Sequence, residues 1–460
     1  MKKERVKLTG AEKSELFAEG VVTVILLLLL NLSIIILIHL AILQDESLVN
    51  GIYFLKKTMT FAGGYHLWSW QNIFIILMGI TILVGERIGK GEPEEAGRAI
   101  GGGICMFAVF AVLLSVFMLA CAPLLAKALH APDEAFAQTV HYIRICGGGA
   151  LFIVAYNVLG ATFRGIGDSR TPLITVIIAC VVNIAGDLFL VAVCKMGAAG
   201  AALATVLAQA VSVVVSFVII RRRKRLPFAF HRDFLRFDKK MIGMELKLGT
   251  PVALQELLVG ISFLVIQTIV NGFGVVASAG VGIGEKVCAF IMLVPSAYMQ
   301  SMSAFVAQNM GAGNPHRAKR ALGYGIATAF AAGVVMCVLA FFHGDLLSAI
   351  FSRDAEVIAA SHSYLKAYAI DCLLTPILFC FTGYYNGREK RVFVMLQGLI
   401  GAFLVRIPVA YLVSRQAGAT LFQIGLATPA SSTVQIILCL GMFVLMERKE
   451  RRAAESSAKR

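Results

Sequence analysis

The segment Val306–Leu322 reads VAQNMGAGNPHRAKRAL and decides the fold. An apolar stretch leads into it, Gly311 and Gly313 interrupt a helix, and basic residues open the next helix. A related segment, VGERIGKGEPEEAGRAI, occupies Val84–Ile100 and matches it at seven positions at one offset, 222 residues from Val84 to Val306. A repeat of this length far exceeds a solenoid unit, so it indicates duplication of half a chain. Two unrelated glycine-rich helix connections would not be expected to share seven positions without a gap.

The composition predicts an all-α integral membrane protein. The chain has 460 residues, of which 58% are hydrophobic and 15% charged, whereas soluble domains carry about a quarter charged residues. The apolar residues form long blocks, and about 20 such residues cross a bilayer as a helix. We predict twelve spans, at about residues 17–43, 66–88, 95–126, 135–162, 171–194, 198–220, 241–271, 276–310, 317–343, 356–385, 392–414 and 419–446.

These spans divide into two pseudo-symmetric lobes of six helices. The predicted organisation is a cytoplasmic N-terminus (1–16), an N-lobe (17–220), a basic cytoplasmic linker (221–240), a C-lobe (241–446) and a cytoplasmic tail (447–460). Because six is an even number, both lobes insert in the same sense. Such parallel repeats are related by an axis along the membrane normal, with a substrate cavity between them.

The basic residues predict the orientation. Most of the 42 Lys and Arg residues fall in the two termini, the linker and alternate loops, which places both termini in the cytoplasm. We therefore expect a multi-pass protein of the plasma membrane, in a bacterium the inner membrane. The linker interleaves basic residues with Phe228, Phe230, Phe234 and Phe237, a pattern typical of segments on anionic lipid headgroups. The linker is short and tethered at both ends, which disfavours the alternative of RNA binding.

No motif favours an enzyme. Gly85–Lys90 (GERIGK) has the wrong spacing for a phosphate loop, and Gly280–Lys286 (GVGIGEK) opens a long apolar helix with no strand before it. The ten cysteines lie mostly in apolar blocks without metal-ligand spacing, which is typical of small hydrophobic residues in the lipid phase. We therefore expect no catalytic residues and no cofactor. We also expect the protein to be a monomer.

Polar residues within spans 5 and 6 suggest a cation site in the N-lobe. Asn183 and Asp187 are four residues apart on one face of span 5, and Thr205 lies in span 6. Asp187 and Thr205 are each nine residues from the turn between the spans, so they reach similar depth. Oxygen ligands suit a proton or Na⁺, and no metal beyond Na⁺ at Asp187 is expected. The alternative is hydrogen bonding that only holds the helices together.

The C-lobe has its own acidic residues at membrane depth, where a charge is costly and usually functional. Glu256 lies beside Gln255 in span 7, Asp371 lies within span 10, and Glu285 precedes Lys286 in span 8. We interpret Glu256, Gln255, Asp371 and Glu285 as candidates for cation or substrate binding. For Glu285, structural ion pairing is an equal alternative.

Several motifs together resemble the multidrug and toxic-compound extrusion (MATE) family. They are the segment at Val306, FRGIGDSRTPL at Phe163–Leu173, YYNGREKRVFVM at Tyr384–Met395 and VRIPVAYL at Val405–Leu412. The resemblance implies a secondary antiporter with two six-helix lobes in a V-shaped bundle. Such proteins export amphipathic, often cationic organic compounds in exchange for H⁺ or Na⁺.

The resemblance also implies site residues. One branch of the family holds its cation with an Asn, an Asp four residues later and a Thr on the next helix, as in Asn183, Asp187 and Thr205. Other members use carboxylates in spans 7 and 10, similar in location to Glu256 and Asp371.

Span 1 departs from the family pattern. Members usually carry an aspartate there, often with a proline, and this span has neither. Its interior polar residues are Asn31, Ser33 and His39, and Asp45 falls beyond its outer end. His39 either takes a proton role, since histidine changes charge near neutral pH, or is a hydrogen-bonded structural residue.

Two other functions compete with antiport. A related lipid-linked saccharide flippase would need a large basic cavity, and the intramembrane cations are few: Arg144, Lys247, Lys286 and Arg406. The other alternative is a non-transporting membrane protein, either an enzyme or a receptor. The lack of a nucleophile, metal or nucleotide motif disfavours the enzyme. The sequence leaves open the compounds carried, the coupling ion and the lobe that dominates.

Overall fold

The computed structural model describes residues 78–128, 133–223 and 232–458, and regular structure within them is helical. In this part of the chain, nine helices are long and apolar enough to cross a membrane, and a bent pair taken as one span makes ten. These ten correspond to predicted spans 3 to 12. Predicted span 1 with His39, the first part of span 2 and linker residues 224–231 lie outside the described residues.

The described residues form two compact units. Leu83–Glu245 belong to the first, and residues 78–82 join the chain from Leu246 onward in the second. The first unit contains most of α1 (Met78–Gly89) and α2 (Pro93–Ala128), α3 (Asp133–Gly148), α4 (Ala150–Gly165), α5 (Arg170–Asp187) and α6 (Gly197–Arg223). Within it, α5 packs along α6, and α2 packs against α3 and α4.

The second unit is built around one buried helix. Its elements are α7 (Lys239–Asn271, from Leu246 on), α8 (Val275–Ile291), α9 (Leu293–Gly311), α10 (Pro315–Phe342), α11 (Gly344–Ala349), α12 (Ala355–Gly387), α13 (Arg391–Leu399), α14 (Ile407–Ser414), α15 (Leu421–Gly425) and α16 (Ala427–Ala458). Helix α12 packs against α8, α9, α10 and α16. Burial of α12 on several sides places the residues of span 10 inside the unit.

Proline explains two breaks within predicted spans. Proline has no N–H, and its ring clashes with the carbonyl four residues earlier. Pro295 stands four residues after Ile291, where α8 ends, and Pro429 stands four residues after Gly425, where α15 ends. Predicted spans 8 and 12 are therefore pairs of helices rather than continuous ones.

Predicted span 4 is also a bent pair, with an angle of 53° between the helix from Phe136 to Gly148 and α4. The break falls at Gly149, where a Cβ atom would lie 2.3 Å from the side chain of Val206 on α6. The close approach of α6 therefore requires glycine at this position.

Predicted spans 5 and 11 each contain a π-helical segment. Leu188–Val193 continues α5 directly after Asp187, and Ile400–Arg406 joins α13 to α14. Pro408 follows the second segment, so the wider turns accommodate the backbone carbonyl for which proline offers no N–H.

The two repeat loops share one backbone conformation. Gly91 and Gly313 both have a positive φ, of 75° and 69°. The following amide donates to the carbonyl five residues earlier in each loop, from Glu92 to Arg87 and from Asn314 to Asn309. The backbone thus repeats at the same offset of 222 residues as the sequence.

A second pair of loops repeats at this offset almost without sequence identity. Gly167 has a φ of 86° and Glu389 a φ of 61°. Asp168 and Lys390 each donate their amide to the carbonyl five residues earlier. The duplication is therefore preserved in hydrogen bonding where the side chains have diverged.

The predicted tail begins as a helical continuation of span 12, because α16 runs on to Ala458. Lys319 at the start of α10 lies 2.7 Å from Glu450 and also contacts Glu447. Arg388, just after α12, contacts Glu450 and donates to the Tyr384 hydroxyl at 2.8 Å. This network fixes the end of α16 to two neighbouring helices.

Candidate cation sites in the two units

The three predicted N-lobe residues lie on the antiparallel pair α5 and α6. The side-chain amide of Asn183 donates to the hydroxyl of Thr205 at 3.4 Å. That hydroxyl in turn donates to the carbonyl of Ala201 at 3.0 Å. The structure therefore brings Asn183 and Thr205 together across the two helices, whereas the turn predicted Asp187 and Thr205 at similar depth.

Asp187 follows Asn183 by one turn and is the last residue of α5 before the π-helical segment. Its Oδ1 atom is buried and has no hydrogen-bond partner among the described residues. Tyr142 on α3 lies within electrostatic range of this carboxylate. Sequence reasoning missed Tyr142, because nothing in one sequence indicates which face of α3 turns toward α5.

The chemistry of these donors suits a small hard cation. Asn183 keeps its amide oxygen, Asp187 has a free carboxylate oxygen, and the Thr205 hydroxyl retains a lone pair. Oxygen ligands of this kind bind H⁺, as a protonated carboxyl, or Na⁺. His39, the fourth predicted member, lies outside the described residues.

In the second unit, Asp371 lies on the buried helix α12 and is 3% exposed. Its Oδ2 atom accepts a hydrogen bond of 2.9 Å from Thr375, one turn later, and Ser432 of α16 lies beside the same carboxylate. The hydroxyl of Thr375 also donates to the Asp371 carbonyl. Hydroxyl groups of two helices therefore hold the carboxylate in place.

Glu256 on α7 and Glu285 on α8 are both half-buried. The Oε1 atom of Glu285 is buried without a hydrogen-bond partner among the described residues. Gln255 differs from its neighbour, since its side chain packs against Gly398 of α13. The carboxylates of Glu256 and Glu285 share one neighbour with Asp371, the guanidinium of Arg406.

The sequence did not predict that Arg406 lies beside these carboxylates. Arg406 is 6% exposed and ends the π-helical segment. A lone arginine before a proline in an apolar span was the available signal. In the parts of the chain that the structure describes, no group of three His, Cys, Asp or Glu side chains has the geometry for a metal ion.

Comparison with family models gives two matches. A model described as MatE matches residues 68–189 and 251–412, more than half of the chain. A model of the N-terminal domain of fungal histidine kinase matches residues 4–84. The second match covers a much smaller part of the chain and overlaps the first.

Two curated relatives match about four fifths of this chain. The chain is 26% identical over 384 residues to the probable multidrug resistance protein YoeA of Bacillus subtilis, covering 81% of this chain and 82% of that protein. It is 25% identical over 385 residues to an FAD transporter of Shewanella oneidensis, covering 79% and 83%.

The fold matches a crystal structure of MATE in complex with MaL6, with a TM-score of 0.79, 16% identity and 96% of each chain covered. Identity this low is evidence of the fold alone. The likeness confirms the predicted fold class, an all-α membrane protein of two six-span lobes.

Proposed function

Because this chain belongs to the MatE family of membrane transporters, we propose that it is a secondary active antiporter of the plasma membrane. It exports amphipathic, cationic organic compounds in exchange for H⁺ or Na⁺. The family assignment supports multidrug efflux as the coarse function. The substrate class and the coupling ion are our proposal.

One observation carries the proposal: each unit holds acidic side chains at membrane depth that make no ion pair within 4 Å among the described residues. Asp187 has this position in the first unit, and Glu256, Glu285 and Asp371 have it in the second. Acids at this depth are costly for a structural role and are typical of ion and substrate pathways. Exchange follows if the coupling ion and the organic cation favour different states of the lobes.

The test is transport of a cationic dye, ethidium, by the purified protein in liposomes. A pH gradient and a Na⁺ gradient are imposed separately, so that the ion that drives dye movement is identified. We expect one gradient to drive transport, and Asp187→Asn or Asp371→Asn to weaken it. Asp345→Asn, the same change at an exposed position of α11, is the matched control. Dye that moves with neither gradient would overturn the antiport proposal.

A second candidate function is export of a flavin dinucleotide, which the similarity to the FAD transporter favours. FAD carries two phosphates and is an anion, so three carboxylates in the second unit disfavour it. Liposomes loaded with FAD in the same assay separate the two functions, because gradient-driven FAD efflux without ethidium transport would support the second one.

A further inference from the structure

Arg406 lies buried in the second unit, held away from the acidic side chains around it. Its Nη1 atom donates to the Ser262 hydroxyl at 3.0 Å, and its guanidinium carbon lies 4.4 Å from the centre of the Phe263 ring. Both partners are neighbours on α7, and Ser262 is fully buried. The guanidinium therefore rests on a hydroxyl and an aromatic face, which attracts cations.

Three carboxylates from three helices lie within electrostatic range of this guanidinium. They are Glu256 on α7, Glu285 on α8 and Asp371 on α12. Tyr364 and Tyr368 on α12 also lie within electrostatic range of Arg406. Lys286 adjoins Glu285 in sequence and adds a second positive charge to this part of the chain. No acidic oxygen lies within 4 Å of Arg406 among the described residues, and its Nε atom has no hydrogen-bond partner there.

The guanidinium of Arg406 thus lies near the acidic cluster but forms no ion pair with it. Charges at this burial interact strongly, because the effective dielectric constant is low. A guanidinium with an unused N–H is suited to bind carboxylates, and its five donors allow it to change partners. The hydrogen bond to Ser262 is a neutral acceptor contact, which is weaker than a contact with a carboxylate.

We propose that Arg406 is a tethered internal cation that competes with the transported cation for the acidic cluster of Glu256, Glu285 and Asp371. When a proton or an organic cation neutralises the cluster, Arg406 rests on Ser262 and Phe263. When the cluster is empty, the guanidinium turns to a carboxylate and holds the site until the next cation displaces it. This inference rests on the proposed function and adds a positioning residue to it.

The test is binding of tetraphenylphosphonium to the full-length protein in lipid nanodiscs at one fixed pH, measured by equilibrium dialysis. Arg406→Gln removes the competing charge, so we expect tetraphenylphosphonium to bind on the order of tenfold more tightly. A purely structural arginine would give the opposite result, because loss of a buried hydrogen bond and ring contact would loosen the site.

Ser262→Ala is a second variant, for the case in which Arg406→Gln does not fold, and it should change the affinity for tetraphenylphosphonium in the opposite direction. It removes the hydroxyl on which the guanidinium rests and leaves the charge, so competition increases and the affinity falls about threefold. The matched control is Arg415→Gln. Arg415 also stacks on an aromatic ring, 5.0 Å from Tyr411, but it is exposed, and we expect no change.

Unchanged affinity in Arg406→Gln and Ser262→Ala, or a decrease in both, would overturn the inference while leaving the proposed function standing. A wild-type protein that binds neither tetraphenylphosphonium nor ethidium, and transports neither with any gradient, would overturn the proposed function and this inference with it.

Discussion

The hydroxyl of Thr205 shows how one side chain can serve both structure and ion binding. It accepts from Asn183 on the neighbouring helix and donates to Ala201 on its own helix. Back-bonding to a carbonyl four residues earlier is common for Thr in helices. The contact with Asn183, which lies one turn before Asp187 and its unpaired oxygen, distinguishes Thr205 from other back-bonded hydroxyls.

Ser216 is the natural comparison, because it lies on the same helix and donates to the Ser212 carbonyl at 2.8 Å. We predict that Thr205→Ala raises the half-saturating concentration of the coupling ion about tenfold, the equivalent of one lost interaction of about 1.4 kcal/mol. Thr205→Ser should restore it, and Ser216→Ala should leave it unchanged. The measurement is the ion dependence of ethidium transport in liposomes. Equal effects of Thr205→Ala and Ser216→Ala would assign Thr205 a structural role.

At the scale of helices, Pro376 in α12 affects which residue its neighbour α10 can place opposite it. Proline offers no N–H to the carbonyl of Cys372, four residues earlier in α12. Helix α12 nevertheless continues, since its neighbour α10 presents Gly333 to this carbonyl. A Cβ atom at Gly333 would lie 2.3 Å from the Cys372 oxygen and 2.8 Å from the Pro376 ring. The glycine therefore makes room for the carbonyl that proline leaves without a helical partner.

Helix α10 offers a direct test, because Gly323 on the same helix faces open space. Gly333→Ala should destabilise the protein by about 1–3 kcal/mol, because the added methyl group overpacks the contact with α12. Gly323→Ala should be neutral or stabilise it by up to about 1 kcal/mol, because alanine favours helices over glycine. Thermal unfolding in detergent, followed by size-exclusion chromatography of the remaining monodisperse protein, measures both. A Gly333→Ala protein as stable as Gly323→Ala would contradict the packing argument.

For the whole molecule, the distribution of basic residues predicts which loops face the cytoplasm. Cys194 offers a reporter, since it is exposed while each of the other nine cysteines is partly or fully buried. It follows the π-helical segment of span 5, on the side predicted to be external.

A membrane-impermeant maleimide added to intact cells should label Cys194 and not the Cys194→Ser variant. Glu94 is exposed after the first repeat loop, on the side predicted to be cytoplasmic. In the Cys194→Ser background, Glu94→Cys should be labelled only after the cells are opened. Labelling of Glu94→Cys in intact cells would reverse the predicted orientation.

Some local breaks were predictable and others were not. Proline within a helix favours a bend or a break, and α8 and α15 each end four residues before a proline, Pro295 and Pro429. Pro251 and Pro376 lie within continuous helices. For Pro376 the difference lies in a neighbour, Gly333, that accommodates the displaced group, and such a neighbour is distant in sequence.

The sequence by itself determined the membrane-spanning class, the positions of spans 3 to 12, the repeat of 222 residues and the identity of the acids at membrane depth. It could do so because transfer into lipid depends on the composition of each segment, and turn conformation depends on a few adjacent residues. Tertiary structure alone decided that Arg406 rests on Ser262 and Phe263 within range of three carboxylates from three helices. That outcome depends on how each helix is rotated against its neighbours, which packing between distant segments sets and hydropathy does not record.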